Sequence, residues 1–92
     1  GVGVAVASGY DPGATPAGDM KFGVSLACLN VRLLPEEALN AVTINGAYAM
    51  GLSRDYGSIS IGRRARLILT RPVPSLAFLP YAYTTDCISR VF

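Results

Sequence analysis

The first segment of the chain is apolar at every position. Residues 2–7 lie in the run Gly-Val-Gly-Val-Ala-Val-Ala, which does not alternate between apolar and polar side chains. Strands that are covered on both faces have this pattern, because side chains on either face are kept from water. The sequence therefore predicts an N-terminal strand that needs neighbours on each side.

A loop and a long helix are predicted next. Residues 8–18 contain three Gly and two Pro, which prevent a helix and supply turn geometry. Asp19 is a suitable N-cap for a helix that runs to about Leu34. One narrow face of this helix is mostly polar, and it consists of Lys21, Ser25, Cys28 and Arg32. The other positions are largely apolar, so we expect the helix to be covered over most of its circumference.

A second helix is predicted from Leu34 or Pro35 to Met50. Pro35 suits a first helical turn, and Glu36 and Glu37 place negative charge beside unpaired backbone N–H groups. Adjacent helical residues point in different directions, so we interpret the two glutamates as helix-terminal charges rather than as a catalytic pair. Gly51 follows the last periodic residue and is expected to end the helix.

The last part of the chain has a β pattern. Residues 58–61 alternate, Gly62 and Arg63 can turn, and residues 64–70 form a second predicted strand, which together indicate a hairpin. Prolines then interrupt the chain, so residues 73–83 are predicted to be an extended loop. Residues 87–92 could form a last strand.

Composition limits the size and class of the fold. The chain has 92 residues, of which 51% are hydrophobic and 15% charged, so it suits one small domain but neither two domains nor a complete (β/α)₈ barrel. Its positive mean hydropathy excludes a disordered tail. We predict a single α+β domain over residues 1–92, with an N-terminal strand, two consecutive helices and a C-terminal β-hairpin region.

The chain contains no histidine. This absence removes the commonest metal ligand and the commonest general acid or base, so His-type zinc sites and Ser-His-Asp or Cys-His catalysis are excluded within one chain. Cys28 and Cys87 are far apart and have no CxxC partner, which predicts two buried thiols. Without a signal-peptide pattern, we expect a reduced, cytoplasmic setting.

Positive charge is concentrated in one region. Five of the eight positive side chains fall between positions 54 and 71, and they are Arg54, Arg63, Arg64, Arg66 and Arg71. No aromatic residue is interleaved at stacking spacing, and the net charge is only +2, so we favour a solvated or salt-bridged hairpin face over a nucleic-acid interface. The same composition predicts no membrane partner. The tyrosines at 48, 81 and 83 are interpreted as core or interface residues.

Several segments together resemble a known family. They are the run Val-Ala-Val-Ala-Ser-Gly-Tyr-Asp-Pro-Gly at 4–13, the run Leu-Pro-Glu-Glu-Ala-Leu at 34–39, the Gly-Ser-Ile motif at 57–59 followed by Gly-Arg and Ala-Arg-Leu, and Leu-Pro-Tyr at 79–81. In order and approximate spacing they resemble the C-terminal portion of the imidazolonepropionases, enzymes of histidine degradation in the amidohydrolase superfamily. The resemblance implies that residues 1–52 form the last barrel unit and residues 53–92 part of the small flanking β-sandwich.

The resemblance also implies a site that this chain has largely lost. The family binds one Zn or Fe ion through earlier histidines and one Asp at the end of strand 8, and metal-bound water attacks the imidazolone ring. Gly9 stands at the position of that Asp and has no side chain to bind metal or take a proton. Asp11 stands where the family has a substrate-contacting Asn, and Ala14 where it has Ser or Thr. Gly13 alone fits the pattern, so Asp11, Gly13 and Ala14 are degenerate substrate-binding positions.

A metal site and a phosphate-binding site in the same loop are not favoured. Asp11 as a displaced metal ligand would lack the further ligands that a transition metal needs, and Asp before Pro is a common turn former. The loop at 9–13 lacks phosphate-binding motifs, and Asp19 at the following helix would oppose an anion. We therefore predict no catalytic residue, no metal ligand and no cofactor in this chain.

Two functional hypotheses remain open. In the first, the chain is a truncated imidazolonepropionase-like hydrolase of C–N bonds that is inactive alone. In the second, it is a non-catalytic structural or interaction module that forms a homo-oligomer or docks on another polypeptide, because its apolar strand and helix need cover. The predicted N-terminal strand could pair with its copy across a two-fold axis or with the C-terminal strand.

Overall fold

The structure is a computed structural model that describes residues 2–9, 19–81 and 86–92. Within these ranges the elements are, in chain order, α1 (Met20–Leu29), α2 (Pro35–Val42), α3 (Ile44–Ala49), β1 (Ile68–Thr70), α4 (Phe78–Tyr81) and β2 (Ile88–Val91). The described residues therefore form both helices and an antiparallel pair of strands, which confirms the predicted α+β class.

Helix α1 begins where the sequence predicts and ends earlier. The Asp19 carboxylate accepts a hydrogen bond from the Lys21 N–H at 2.8 Å, which confirms the predicted N-cap. The helix ends at Leu29 rather than Leu34. Arg32 has a φ of 64°, in the left-handed region that a right-handed helix cannot include. Pro35 also disfavours helical backbone at the residue before it, so the predicted end was wrong.

The second predicted helix is divided into α2 and α3. Thr43 lies between them with φ −113° and ψ −89°, outside the helical region, and its side-chain hydroxyl donates to the Leu39 carbonyl oxygen at 2.6 Å. Such back-bonding by Thr is associated with bent helices. The Glu37 carboxylate accepts from the Leu34 N–H at 2.8 Å, which confirms its role at the helix start. Gly51, at φ +74°, confirms the predicted stop.

The predicted N-terminal strand is wrong in this structure. Residues 2–9 form no strand and instead lie against the helices. The Val6 N–H donates to the Ala41 carbonyl oxygen at 3.0 Å, and the Asn45 side-chain amide donates to the Val4 carbonyl oxygen at 2.8 Å. A strand requires a ladder with a neighbouring strand, and the described residues offer none beside this segment. Val2 is 91% exposed as a result.

The predicted hairpin is also wrong. Residues 58–61 form no strand, although the turn at Gly62 is present with φ +87°. Only β1 forms within the predicted strand at 64–70, and it pairs antiparallel with β2, with Ile68 opposite Val91. The predicted last strand is thereby confirmed. The alternation at 58–61 indicated β structure, but the strand that pairs with β1 is β2, which lies much later in the chain.

A short helix replaces part of the predicted loop at 73–83. Helix α4 packs on α1, where the buried Ser25 hydroxyl lies 2.5 Å from the Pro80 carbonyl oxygen. Within the predicted polar face of α1, Ser25 is therefore covered by α4. Tyr48 and Tyr81 are exposed, so they are not core residues, and Tyr83 lies outside the described residues.

The core is small and lies between α1 and α2. Val24, Ala27 and Ala38 are buried, and Val6 and Leu33 pack against them. Both cysteines are free thiols; Cys87 is buried as predicted and Cys28 is half-buried. None of the helices in the described ranges is long and apolar enough to span a bilayer.

Candidate functional site

The candidate site lies where the N-terminal segment ends. Gly9, at the position that the resemblance assigns to a metal-binding Asp, has a φ of 53°. This left-handed backbone is unstrained for Gly and is tolerated by Asp and Asn better than by most residues. Asp11, Gly13 and Ala14 lie outside the described residues, so their roles as degenerate substrate-binding positions stay predictions.

Two hydrogen bonds position the segment that carries Gly9. The Val6 N–H and the Ala41 carbonyl oxygen join it to α2, and the Asn45 amide joins its Val4 carbonyl oxygen to α3. The Val6 side chain also packs against the core cluster. The backbone just before Gly9 is therefore fixed relative to the two helices by contacts that span about forty residues of sequence, 41 in the case of Asn45 and Val4.

The donor set of this chain does not fit the Zn or Fe centre that the resemblance implies. Protein zinc sites use three or four side-chain ligands, mostly His, Cys and carboxylates. The chain has no His, and the described residues hold no group of three or more His, Cys, Asp or Glu side chains that could share an ion. Gly9 contributes no side chain. No catalytic step through a metal ion can be assigned to these residues.

Cys28 is a half-buried free thiol in α1. Burial raises the pKa of the Cys28 thiol, and the negative charge of Glu36 raises this pKa further. The side chain packs against the core cluster of α1 and α2. Reactive and metal-binding cysteines have a lowered pKa, so Cys28 has the properties of a structural thiol.

A groove lies beside the α2 and α3 helices. It has a volume of about 600 Å³ and is lined by α2, α3, the loop at 52–59 and the residues leading into β1. We name it the α3–β1 groove; its main apolar residues are Val42, Ala47, Met50, Leu52, Ile59, Leu67 and Ile68, and its basic residues are Arg64 and Arg66. The groove was not predicted from the sequence, because the alternation at 58–61 predicted a hairpin there.

The arginines near the groove have different environments. Arg63 points into the loop, where its guanidinium donates to the carbonyl oxygens of Ser53 and, at 3.0 Å, Tyr56. The Arg64 guanidinium lies 6.0 Å from the centre of the Tyr56 ring, and both Arg64 and Arg66 are exposed. Within the described ranges neither Arg64 nor Arg66 has a carboxylate at ion-pair distance. The sequence predicted that these arginines are either solvated or salt-bridged. Arg64 and Arg66 are solvated.

Comparison with known proteins gives one consistent result. Residues 2–88 match the sequence profile of the amidohydrolase family. The chain is 51% identical over 89 residues to the imidazolonepropionase of Christiangramia forsetii, covering 97% of this chain and 22% of that protein. It is 50% identical over 91 residues to the imidazolonepropionase of Flavobacterium johnsoniae, covering 99% of this chain and 22% of that protein.

A more distant relative has the same coverage. The imidazolonepropionase of Alkaliphilus metalliredigens is 33% identical over 91 residues, which cover 99% of this chain and 21% of that protein. The resemblance found in the sequence is thereby confirmed over the whole chain. The chain spans about a fifth of the length of the curated relatives it matches.

Proposed function

This chain belongs to the amidohydrolase family, and we propose that it corresponds to the C-terminal part of an imidazolonepropionase and has no catalytic activity by itself. The reaction of the complete enzymes is hydrolysis of a C–N bond in imidazolone propionate. The observation that carries the proposal is the donor set: the chain has no His, and Gly9 stands where the family places a metal-binding Asp.

The chemistry explains why these two features matter together. Metal-assisted hydrolysis needs several protein ligands to hold the ion and a base to take a proton from the attacking water. In the family one Asp serves both needs at the position of Gly9. Restoring that carboxylate would supply a single ligand, and one carboxylate does not hold a transition metal.

The loop after Gly9 supports a weakened substrate site. Asp11 stands at the position of a substrate-contacting Asn, and its negative charge would repel the carboxylate of imidazolone propionate. Gly13 retains the family residue, and its contact would be made by the backbone. Ala14 lacks the hydroxyl of the family's Ser or Thr.

A turnover assay tests the proposal. The purified 92-residue chain is incubated with imidazolone propionate and added Zn²⁺ or Fe²⁺, with the Christiangramia forsetii enzyme as the positive control. We expect no turnover above background for the chain and for its Gly9→Asp variant. Turnover that co-purifies with the chain and is lost when the metal is chelated would contradict the proposal.

A second candidate function is that of a non-catalytic module that forms a homo-oligomer or docks on another chain. The observation that favours it is exposed apolar surface: Ile59 is 88% exposed and Ile61 is fully exposed, and large exposed apolar areas are typical of interaction surfaces. Light scattering at micromolar concentration tests self-association, and a strictly monomeric folded chain would count against a homo-oligomer. A cytoplasmic location and the lack of nucleic-acid and membrane partners stay predictions.

A further inference from the structure

We propose that Asn45 is a site of spontaneous deamidation, and that the deamidated chain holds its N-terminal segment more weakly against α2 and α3. The reacting pair is Asn45 and Gly46, the second and third residues of α3. The consequence follows from the hydrogen bond that the Asn45 amide donates to the Val4 carbonyl oxygen at 2.8 Å. The proposal concerns a covalent change in this chain and is independent of the family's reaction.

The reaction is an attack of the chain on itself. The backbone nitrogen of Gly46 attacks the side-chain carbonyl carbon of Asn45, and a C–N bond forms between them. The side-chain nitrogen leaves as ammonia, which carries away the proton of the Gly46 N–H. Water then opens the cyclic imide at either of its carbonyl groups, which gives aspartate or isoaspartate.

A following glycine distinguishes this asparagine from the others in the chain. The chain has three asparagines, and the other two, Asn30 and Asn40, are followed by Val and Ala. Glycine has no Cβ to hinder the attack, and its backbone has the freedom that ring closure needs. Gly46 is also the third residue of α3, so its N–H is among the first four, which have no partner within their own helix.

The fold sets how often the reaction can occur. Ring closure brings the Gly46 nitrogen onto the Asn45 Cγ, and it needs backbone dihedral angles at Asn45 outside the helical region. Helix α3 has only six residues, and Thr43 separates it from α2 with non-helical backbone. Helices this short are marginal on their own, so we expect α3 to open locally while the core stays folded. Deamidation then proceeds from the open state, at a rate proportional to its population.

The product lacks the donor that holds Val4. The amide nitrogen of Asn45 is replaced by a carboxylate oxygen, which is ionised at neutral pH and can only accept hydrogen bonds. Two acceptor oxygens then face each other at the position of the present bond, and the Val4 carbonyl oxygen loses its partner. In isoaspartate the main chain also passes through the side-chain methylene, which the regular geometry of α3 does not accommodate.

Mass spectrometry of the aged chain tests the reaction. The purified 92-residue chain is held at mildly alkaline pH, and trypsin then releases the peptide 33–54, which contains Asn40 and Asn45. The chain has no glutamine, so every conversion of a side-chain amide to an acid occurs at an asparagine. We expect conversion at Asn45 and not at Asn40, with isoaspartate detected by its specific methyltransferase. No conversion at Asn45, equal conversion at both positions, or aspartate without isoaspartate would overturn the proposal.

Gly46→Ala is a variant that should keep the fold and slow the reaction. A Cβ at Gly46 would lie 3.5 Å from the Ala41 carbonyl oxygen, an ordinary van der Waals contact. We expect Asn45 to deamidate roughly fivefold more slowly or less, because alanine lowers the population of the open helix and its methyl group hinders the attack. Gly23→Ala in α1 gains the same helix preference away from the site and should leave the rate unchanged. Equal rates in the two variants would contradict the proposal.

Aspartate at position 45 measures the consequence. Asn45→Asp and Asn40→Asp add the same charge, and Asn40 is exposed in α2. We expect the Val6 amide to exchange its hydrogen roughly fivefold faster or more in Asn45→Asp, since one hydrogen bond that holds the segment is lost. In Asn40→Asp the rate should be unchanged. An unchanged rate in Asn45→Asp would overturn the proposed release of the segment, even where deamidation itself is observed.

Discussion

The side-chain amide of Asn45 donates a hydrogen bond to the carbonyl oxygen of Val4 at 2.8 Å, across 41 residues of sequence. Together with the bond between the Val6 N–H and the Ala41 carbonyl oxygen, it holds the N-terminal segment against α2 and α3. Gly9 lies three residues after Val6, so we expect Asn45 to help position the backbone that leads to the candidate site.

Removal of this amide should loosen the segment without unfolding the chain. In Asn45→Ala we expect the Val6 amide to exchange its hydrogen roughly fivefold faster, since a hydrogen bond of this kind contributes about 1 kcal/mol. Asn40→Ala, at an exposed position of α2, is the control and should leave the rate unchanged. Hydrogen exchange measured by NMR reports both rates, and equal rates in the two variants would contradict the positioning role.

Ser25 connects α1 to α4 and should contribute to stability. Its buried hydroxyl lies near the carbonyl oxygens of Pro80, at 2.5 Å, and Lys21, at 3.1 Å. In Ser25→Ala the buried Pro80 carbonyl oxygen loses its donor, so we expect the free energy of unfolding in urea to fall by about 1–2 kcal/mol. Ser60→Ala, at an exposed position, should change it by less than about 0.5 kcal/mol. Equal changes would show that the α1–α4 bond is unimportant.

Gly57 and Gly62 both have positive φ but differ in their surroundings. A Cβ at Gly57 would lie 2.8 Å from the Ala47 Cβ and 3.0 Å from the Ile44 Cα, whereas at Gly62 it would meet open space. Gly62→Ala should therefore cost only the left-handed backbone penalty of about 1–2 kcal/mol. Gly57→Ala adds steric overlap and should cost roughly 3 kcal/mol or more. Denaturant midpoints compare the two, and a Gly62→Ala variant as unstable as Gly57→Ala would contradict this account.

The raised pKa of Cys28 predicts a loss of stability at alkaline pH. In the folded chain the thiol stays protonated at a pH where it already ionises in the unfolded chain. Its contribution is therefore complete below the pKa of the unfolded thiol and is lost as pH rises through the folded pKa. Alkylation of Cys28 by iodoacetamide, followed by mass spectrometry, should show a midpoint above that of free cysteine. Glu36→Gln should lower this midpoint, and no change would remove Glu36 as a cause.

Local sequence signals predicted the element boundaries that depend on a few neighbouring residues. The cap at Asp19, the helix start at Pro35 and the stop at Gly51 are each decided by backbone groups within one turn, so residue type is sufficient evidence there. The end of α1 was missed because the left-handed backbone at Arg32 has no sequence signature as clear as glycine.

Features that depend on distant partners could not be predicted in the same way. The sequence patterns indicate which side chains are favourably buried, as in the apolar run at 2–7 and the alternation at 58–61. They do not indicate which segment of the chain buries them. Burial of Ser25 depends on α4, which lies 55 residues later and begins in a proline-rich stretch that favoured a loop. For the same reason the α3–β1 groove could not be predicted from the sequence, and the interpretation of Gly9 as the family's metal-binding position stays a prediction.

Metal content tests directly whether this chain can hold a metal ion of its own. The purified chain is dialysed against micromolar Zn²⁺ and then against metal-free buffer, and bound zinc is measured by mass spectrometry, with the Christiangramia forsetii enzyme treated in parallel. We expect stoichiometric metal in the enzyme and only trace zinc in the 92-residue chain. One tightly held zinc ion per chain would contradict this expectation.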